Sequence, residues 1–196
     1  MRTRDESKEA AIRKKAIEMI VKEGFDGLSM QKLAKAAGVS PATIYIYFKD
    51  REDLIYQISI DEGKKLIDAT LKDFDPQMNF SDGLRRQWLN RANYFLRNPL
   101  QMHFMEQIRY SPFYAKVYKD NGFLSAMRDF VSNAIKRKEL VQLPIEVYWS
   151  IAFAPLYQLV KFHISPKAMM GKESKFVFDE KMMDLTLNLV LKALKP

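Results

Sequence analysis

The sequence predicts an all-α chain, with a three-helix head over residues 1–50 joined by a long helix to a larger helical bundle over residues 51–196. Three observations predict it. Apolar residues recur at helical spacing almost throughout, and no stretch alternates convincingly; Phe176-Val177-Phe178 is too short a run. The interruptions are Gly, Ser-Pro, Asn-Pro and Asp-Pro sites, which cap and break helices. The composition is globular, 47% hydrophobic and 29% charged over 196 residues, enough to bury a core.

Each element follows from its own signals. Ile12, Ala16, Met19 and Ile20 stripe a first helix, and Gly24 stands where a left-handed cap ends it. Ser29 N-caps a short second helix bearing Leu33, Ala34 and Ala37, and Gly38 turns the chain. Ser40-Pro41 is an N-cap followed by a first-turn proline, opening a third helix to about Phe48. A longer helix runs from Arg51 to about Phe74, with Leu54, Ile58, Leu66, Ile67 and Leu71, until Asp75-Pro76 breaks it. Ser81 starts a helix through Trp88 and Phe95, and Asn98-Pro99 and Ser111-Pro112 repeat the cap-plus-proline pattern. Asp120-Asn121-Gly122 forms a turn before a helix to about Lys138. Leu143-Pro144 opens an apolar helix to about Ile164, residues 165–174 form a basic loop, and a last helix covers about Asp179 to Leu194. Pro155 removes a backbone donor and should free the carbonyl of Ile151, either as a tolerated kink or as a bent pocket wall.

Composition excludes several function classes. With no cysteine there are no disulfides, thiolate chemistry or cysteine-held zinc, which fits a reducing cytoplasm. No apolar run is long enough for a bilayer, and no apolar stretch behind Met1 reads as a secretory signal. His103 and His163 have no ligand spacing, and Glu106 with Arg109 reads as a helix pair rather than a catalytic dyad. The net charge of +8 suits an acidic partner. It is spread, however: residues 1–51 carry 11 basic against 7 acidic side chains, and the remaining residues carry the other half of the excess.

Residues 29–48, SMQKLAKAAGVSPATIYIYF, meet the needs of a helix-turn-helix. Ala34 is small where the helices cross, and Gly38 tolerates positive φ in the turn. Val39, Ile44 and Phe48 anchor the second helix, whose N-terminal end must stay exposed to enter a major groove.

The ordered set AxAAGVSxxTxYxYF, with a preceding helix that ends in Gly-Phe and a following Lys49-Asp50-Arg51-Glu52-Asp53-Leu54, resembles the tetracycline-repressor family over about residues 8–56. Arg51 stands where such families usually carry lysine. Geometry and resemblance together imply that Ser29 and Thr43 bond phosphates beside helix N-termini. Tyr47, Lys49 and Arg51 are expected to hold the DNA backbone. Pro41, Ala42, Tyr45 and Ile46 are expected at the bases, with packing between helices as the other option for Tyr45, and Ser40 is small and polar enough to approach base edges and phosphates. No Arg, Asn or Gln is placed for bidentate readout, so methyl contacts and DNA shape should carry specificity. Arg2 and Arg4 either fray or reach along a groove.

Residues 52–196 hold 11 of the 13 Phe and 8 of the 11 Met. Met102, Met105, Arg109, Phe113, Met127, Phe130, Trp149, Phe153 and Tyr157 are either ordinary core or the lining of a cavity for an apolar or amphipathic small-molecule effector, which the resemblance implies. Gln107, Arg109, Gln158 and His163 are the candidate polar handles. The last two long helices each carry an apolar face, with Tyr148, Ala152, Leu156 and Leu159 on one and Met183, Leu187, Val190 and Leu191 on the other. Core packing explains part of this, and the resemblance implies a homodimer interface for the rest, whose two-fold symmetry would match a palindromic double-stranded DNA operator. The expected function is a repressor released by its effector. The alternatives are a ligand-responsive activator and a helical lipid-binding module with no DNA role. Neither a cofactor nor a membrane is expected. An enzyme is disfavoured by the lack of paired histidines, a phosphate loop or Gly-x-Ser-x-Gly.

Overall fold

Helix α1 (Glu6–Gly27) starts where the Asp5 carboxylate accepts from the Ser7 and Lys8 amides, and bonds from the Ser7 hydroxyl and then the Lys8 ammonium hold Asp5 well below the usual carboxylate range, at about 2. In the computed structural model, which describes residues 5–117, 122–165 and 175–196, Gly24 interrupts this helix at φ 74°. The break therefore falls where the sequence places it, and one further turn follows. Ser29 caps α2 (Met30–Ala37), Gly38 closes it in the left-handed region at φ 67°, and Ser40 caps α3 (Pro41–Tyr47). Asp50 accepts from the Asp53 amide at the start of α4 (Arg51–Leu71). Arg2, Arg4, the Asp120-Asn121 part of the expected turn and residues 166–174 of the expected basic loop lie outside the described residues. Every described residue in regular structure is helical, and no helix is long and apolar enough to cross a membrane.

The chain divides into two compact units, with the boundary inside α4. The first comprises residues 1–65 and 98–120. Its core is Ile12, Ala16, Ile17, Ile20, Leu33, Ala34, Ile44, Phe48, Leu54 and Ile58, all buried. Arg13 joins α1 to α4 through Asp61 at 2.9 Å and Gln57 at 3.1 Å, and its guanidinium lies 5.0 Å from the Phe48 ring centroid. Helix α6 (Pro99–Arg109) belongs to this unit and packs on α1. Gln107 donates to the Val21 carbonyl at 3.3 Å, and Phe113, just before the short α7 (Tyr114–Val117), meets Phe25 at 6.2 Å.

The second unit comprises residues 66–97 and 121–196. Helix α5 (Phe80–Arg97) begins at Asn79, whose side chain accepts from the Asp82 amide, so the cap lies two residues before the expected Ser81. Helix α5 is inward-facing along Phe80, Leu84, Trp88, Ala92 and Phe95. It packs against α8 (Phe123–Lys136) and against the pair formed by α9 (Ile145–Ala152) and α10 (Ala154–Ile164). Pro155 splits the expected single helix at Phe153. The carbonyl taken up by a side chain is that of Ala152, which accepts from the Trp88 indole at 2.8 Å. Helix α11 (Glu180–Leu194), capped by Asp179, lies against α9 and α10.

Gly83 is where α5 approaches α8 most closely, since a Cβ there would stand 2.3 Å from Cε2 of Phe130. Phe130 is wholly buried and held edge-on by Phe74 and stacked by Phe80, so its ring has nowhere to move. Gly83→Ala should therefore destabilise the protein. The overpacking costs about 1–3 kcal/mol against a gain of about 1 kcal/mol in helix propensity. A lowered urea midpoint checks it, and an unchanged or raised midpoint counts against this close approach.

Candidate nucleic-acid interface and effector site

The third helix has two faces because its residues advance about 100° each. Ile44, Tyr47 and Phe48 turn into the core and are buried. Ser40, Pro41, Ala42, Tyr45 and Ile46 turn out, with Tyr45 55% and Ile46 38% exposed. Tyr45 therefore does not pack between the helices. The N-termini of α2 and α3 are both capped by hydroxyls, with Ser29 accepting from the Lys32 amide and Ser40 from the Thr43 amide, each at 3.2 Å. Thr43 is half-buried, and its hydroxyl lies 2.8 Å from that of Ser40. Lys49 is exposed, and its amide donates to Asp53 at 2.8 Å, the leading cause of the lowered Asp53 pKa. The outward face thus combines the small side chains of Ser40, Pro41 and Ala42 with Tyr45 and Ile46 on a helix whose N-terminus is its positive end, an arrangement suited to phosphates and base edges.

Two residues expected on the DNA backbone are engaged elsewhere. The Tyr47 hydroxyl accepts from the Asp5 amide at 3.0 Å and donates to the Asp5 carbonyl at 3.1 Å, tying the third helix to the start of the first. Helical spacing explains it, since position 47 shares the inward face with 44 and 48. Arg51 donates through Nε to the Leu28 carbonyl at 2.8 Å and through Nη2 to the Phe25 carbonyl. Its charge thus sits on the last carbonyls of α1, where a helix terminus favours a cation.

The expected dimer face is mostly spent inside the chain. Tyr148, Ala152, Leu156, Met183 and Leu187 are buried within one copy, while Leu159 and Leu191 are half-buried. The stripe 183, 187, 190, 194 is the one that packs on the chain's own helices, and sequence periodicity marks that stripe first. The large apolar side chains left exposed on α11 are Leu185 and Leu189, 55% and 59% exposed and one turn apart.

The residues expected to line a cavity are distributed over both units. Met102 and Met105 are buried in the first, with half-buried Phe113 and exposed Arg109. That unit also has an open cleft of about 440 Å³ against Val21, His103, Glu106, Gln107 and Tyr110, lined by none of the four. Phe130 and Phe153 are wholly buried in the second unit, with Met127, Trp149 and Tyr157 half-buried. The candidate handles are occupied or outside: Gln107 bonds Val21, His163 Nδ1 accepts from the Phe178 amide at 3.2 Å, and Gln158 is exposed.

Sequence reasoning missed the polar centre of the second unit. Arg91 is only 3% exposed and is surrounded by rings, its guanidinium carbon lying 4.6 Å from the Phe153 centroid, 5.5 Å from Trp149, 5.8 Å from Phe123 and 6.0 Å from Tyr157. Nη1 donates to the Tyr157 hydroxyl at 2.6 Å and Nη2 to Gln87 Oε1 at 3.4 Å. Nε of Arg91 and Nε2 of Gln87 are buried without a partner. Among the described residues no carboxylate forms an ion pair with Arg91. Burying such a charge costs several kcal/mol, whereas a ring face offsets about 0.5–2 kcal/mol. Tyr148, buried nearby, shows both effects, since burial pushes its hydroxyl pKa up and the Arg91 charge pulls it down. The available signal was spacing: Gln87 and Arg91 fall on the inward stripe of α5 with Leu84, Trp88 and Phe95.

Comparison with known proteins agrees with this geometry. Residues 12–58 match the family model described as bacterial regulatory proteins, tetR family. An uncharacterized HTH-type transcriptional regulator of Haemophilus influenzae is 31% identical over 102 residues, 52% of this chain, so the match spans about half (54%) of the length of that curated relative. A TetR family transcription regulator from Marinobacter aquaeolei VT8 superposes with a TM-score of 0.72 at 27% identity, covering 100% of this chain and 99% of that one. The fold is also that of a transcriptional regulator FadR from Bacillus subtilis, solved in complex with stearoyl-CoA, with a TM-score of 0.71 at 19% identity over 95% of this chain and 99% of that one. Regulators of this kind are transcription factors rather than enzymes. Residues 12–58 thus carry the helix-turn-helix domain of the tetR family of bacterial regulatory proteins, and the whole chain has the fold of a TetR family transcription regulator.

Proposed function

We propose that this protein is a cytoplasmic, homodimeric repressor that binds a palindromic double-stranded DNA operator and leaves it when a small amphipathic effector binds. The observation that carries the DNA reading is the outward face of the third helix, Pro41, Ala42, Tyr45 and Ile46, behind its Ser40-capped N-terminus. Repression, dimerisation and ligand binding are typical of the family and support the rest. The dimer forms through the exposed Leu185 and Leu189 stripe of α11. The effector lies in the second unit against Trp149, Phe153 and Tyr157, and the FadR complex with stearoyl-CoA supports an amphipathic ligand. Release requires that the ligand bind the non-DNA conformation better, a coupling of about 1–3 kcal/mol in usual cases. Helix α4 contributes to both units and is the lever.

The test is selection of genomic fragments by the purified protein, then affinity against salt for the selected site. Log affinity should fall linearly with log salt. Lys49→Ala should flatten the slope by about 1 for each phosphate contact removed. Arg51→Ala should act differently, loosening the head and lowering its melting temperature, because the Phe25 and Leu28 carbonyls lose a charged donor. Absence of any preferred fragment would overturn the DNA reading.

A further inference from the structure

Arg91 is a charge that the fold buries, and among the described residues no carboxylate pairs with it. It sits on α5 one turn from Gln87, and both present a buried N–H with no acceptor, Nε of Arg91 and Nε2 of Gln87. The remaining guanidinium bonds go to Tyr157 and to Gln87 itself. The rings of Phe153, Trp149, Phe123 and Tyr157 surround the charge. We propose that Arg91 and Gln87 form the headgroup site for an organic monocarboxylate, whose apolar body lies against these aromatic rings.

The donor set selects the class. Two unused donors on neighbouring side chains fit the two oxygens of one planar carboxylate, and hydrogen bonds between ions are the strong ones. One guanidinium balances one negative charge, whereas a phosphate monoester near pH 7 carries close to two. A neutral ligand would leave the charge as it stands. Replacing a buried unpaired charge by an apolar side chain of similar size is often neutral or stabilising. An arginine kept for a ligand and one kept for the fold therefore predict different variants.

This inference rests on the effector reading above, and the experiment separates the two. Calorimetric titration of the full-length protein uses decanoate and cinnamate, with decanamide and cinnamamide as neutral counterparts and decyl phosphate as the dianion. At least one carboxylate should bind, about 10- to 100-fold more tightly than its amide and more tightly than the phosphate. Arg91→Met should keep or raise the melting temperature while removing the preference for carboxylate over amide. Gln87→Leu, a smaller change, should weaken carboxylate binding with the amide unaffected, and it carries the test should Arg91→Met fail to fold. The proposal is overturned if no carboxylate binds at millimolar concentration, if amide or phosphate binds as well, or if both variants retain the preference. DNA anisotropy then reports on the effector reading alone. A carboxylate that binds through Arg91 without releasing DNA leaves the headgroup site standing and removes the effector role, whereas DNA release by amide and carboxylate alike does the reverse.

Discussion

Aspartate at both Leu185 and Leu189 should give a folded monomer whose operator affinity falls about 10²–10⁴-fold, the factor that linking two half-site contacts contributes. Both side chains are more than half exposed in one copy, so the charges are solvated in the monomer and cost its fold little. In the dimer the same charges would be buried unpaired and opposite their symmetry mates, which is strongly unfavourable. Sedimentation velocity and DNA anisotropy read the two consequences separately. Leu187→Asp is the instructive contrast. At 2% exposure it lies in the core of its own unit, and the variant should unfold rather than dissociate. A double variant that stays dimeric at micromolar concentration would place the interface elsewhere.

Ala42→Glu should remove operator binding while leaving the fold intact. Ala42 is exposed at the second position of the third helix, between Pro41 and Thr43. A glutamate there faces the positive helix end, which favours it, so the free protein should melt no lower than wild type. On DNA the same carboxylate would stand among phosphates and base edges. Disturbing one base-pair contact costs about 1–3 kcal/mol at each half-site, about 30-fold or more in a dimer before repulsion is counted. Gel-shift titration beside a thermal melt checks both halves. Unchanged binding would mean that this face does not meet the groove.

Capping residues, glycines and prolines are readable because they act over a few residues of chain. Ser29, Gly38, Ser40 and Pro41 define the second and third helices in the sequence as they do in the structure. So does the break at Gly24, which needs a positive φ that only the local backbone decides. The outward positions of the third helix, Ala42, Tyr45 and Ile46, follow from period alone once Ile44 and Phe48 are taken as anchors.

Other features depended on residues distant in sequence. Tyr47 reads as a polar aromatic free for phosphate until Asp5, 42 residues away, takes its hydroxyl. Arg51 reads as a basic side chain after the motif until the end of α1 offers it two carbonyls. On α11 the amphipathic pattern names the face that packs, and only the neighbouring helices decide that this face is the chain's own core and that Leu185 and Leu189 are the large apolar side chains left exposed. Arg91 is the furthest from legible. A single arginine on a helix reads as solvated, and its burial is set by rings from α8, α9 and α10 that close around it, because desolvation is a property of the assembled environment and not of the residue.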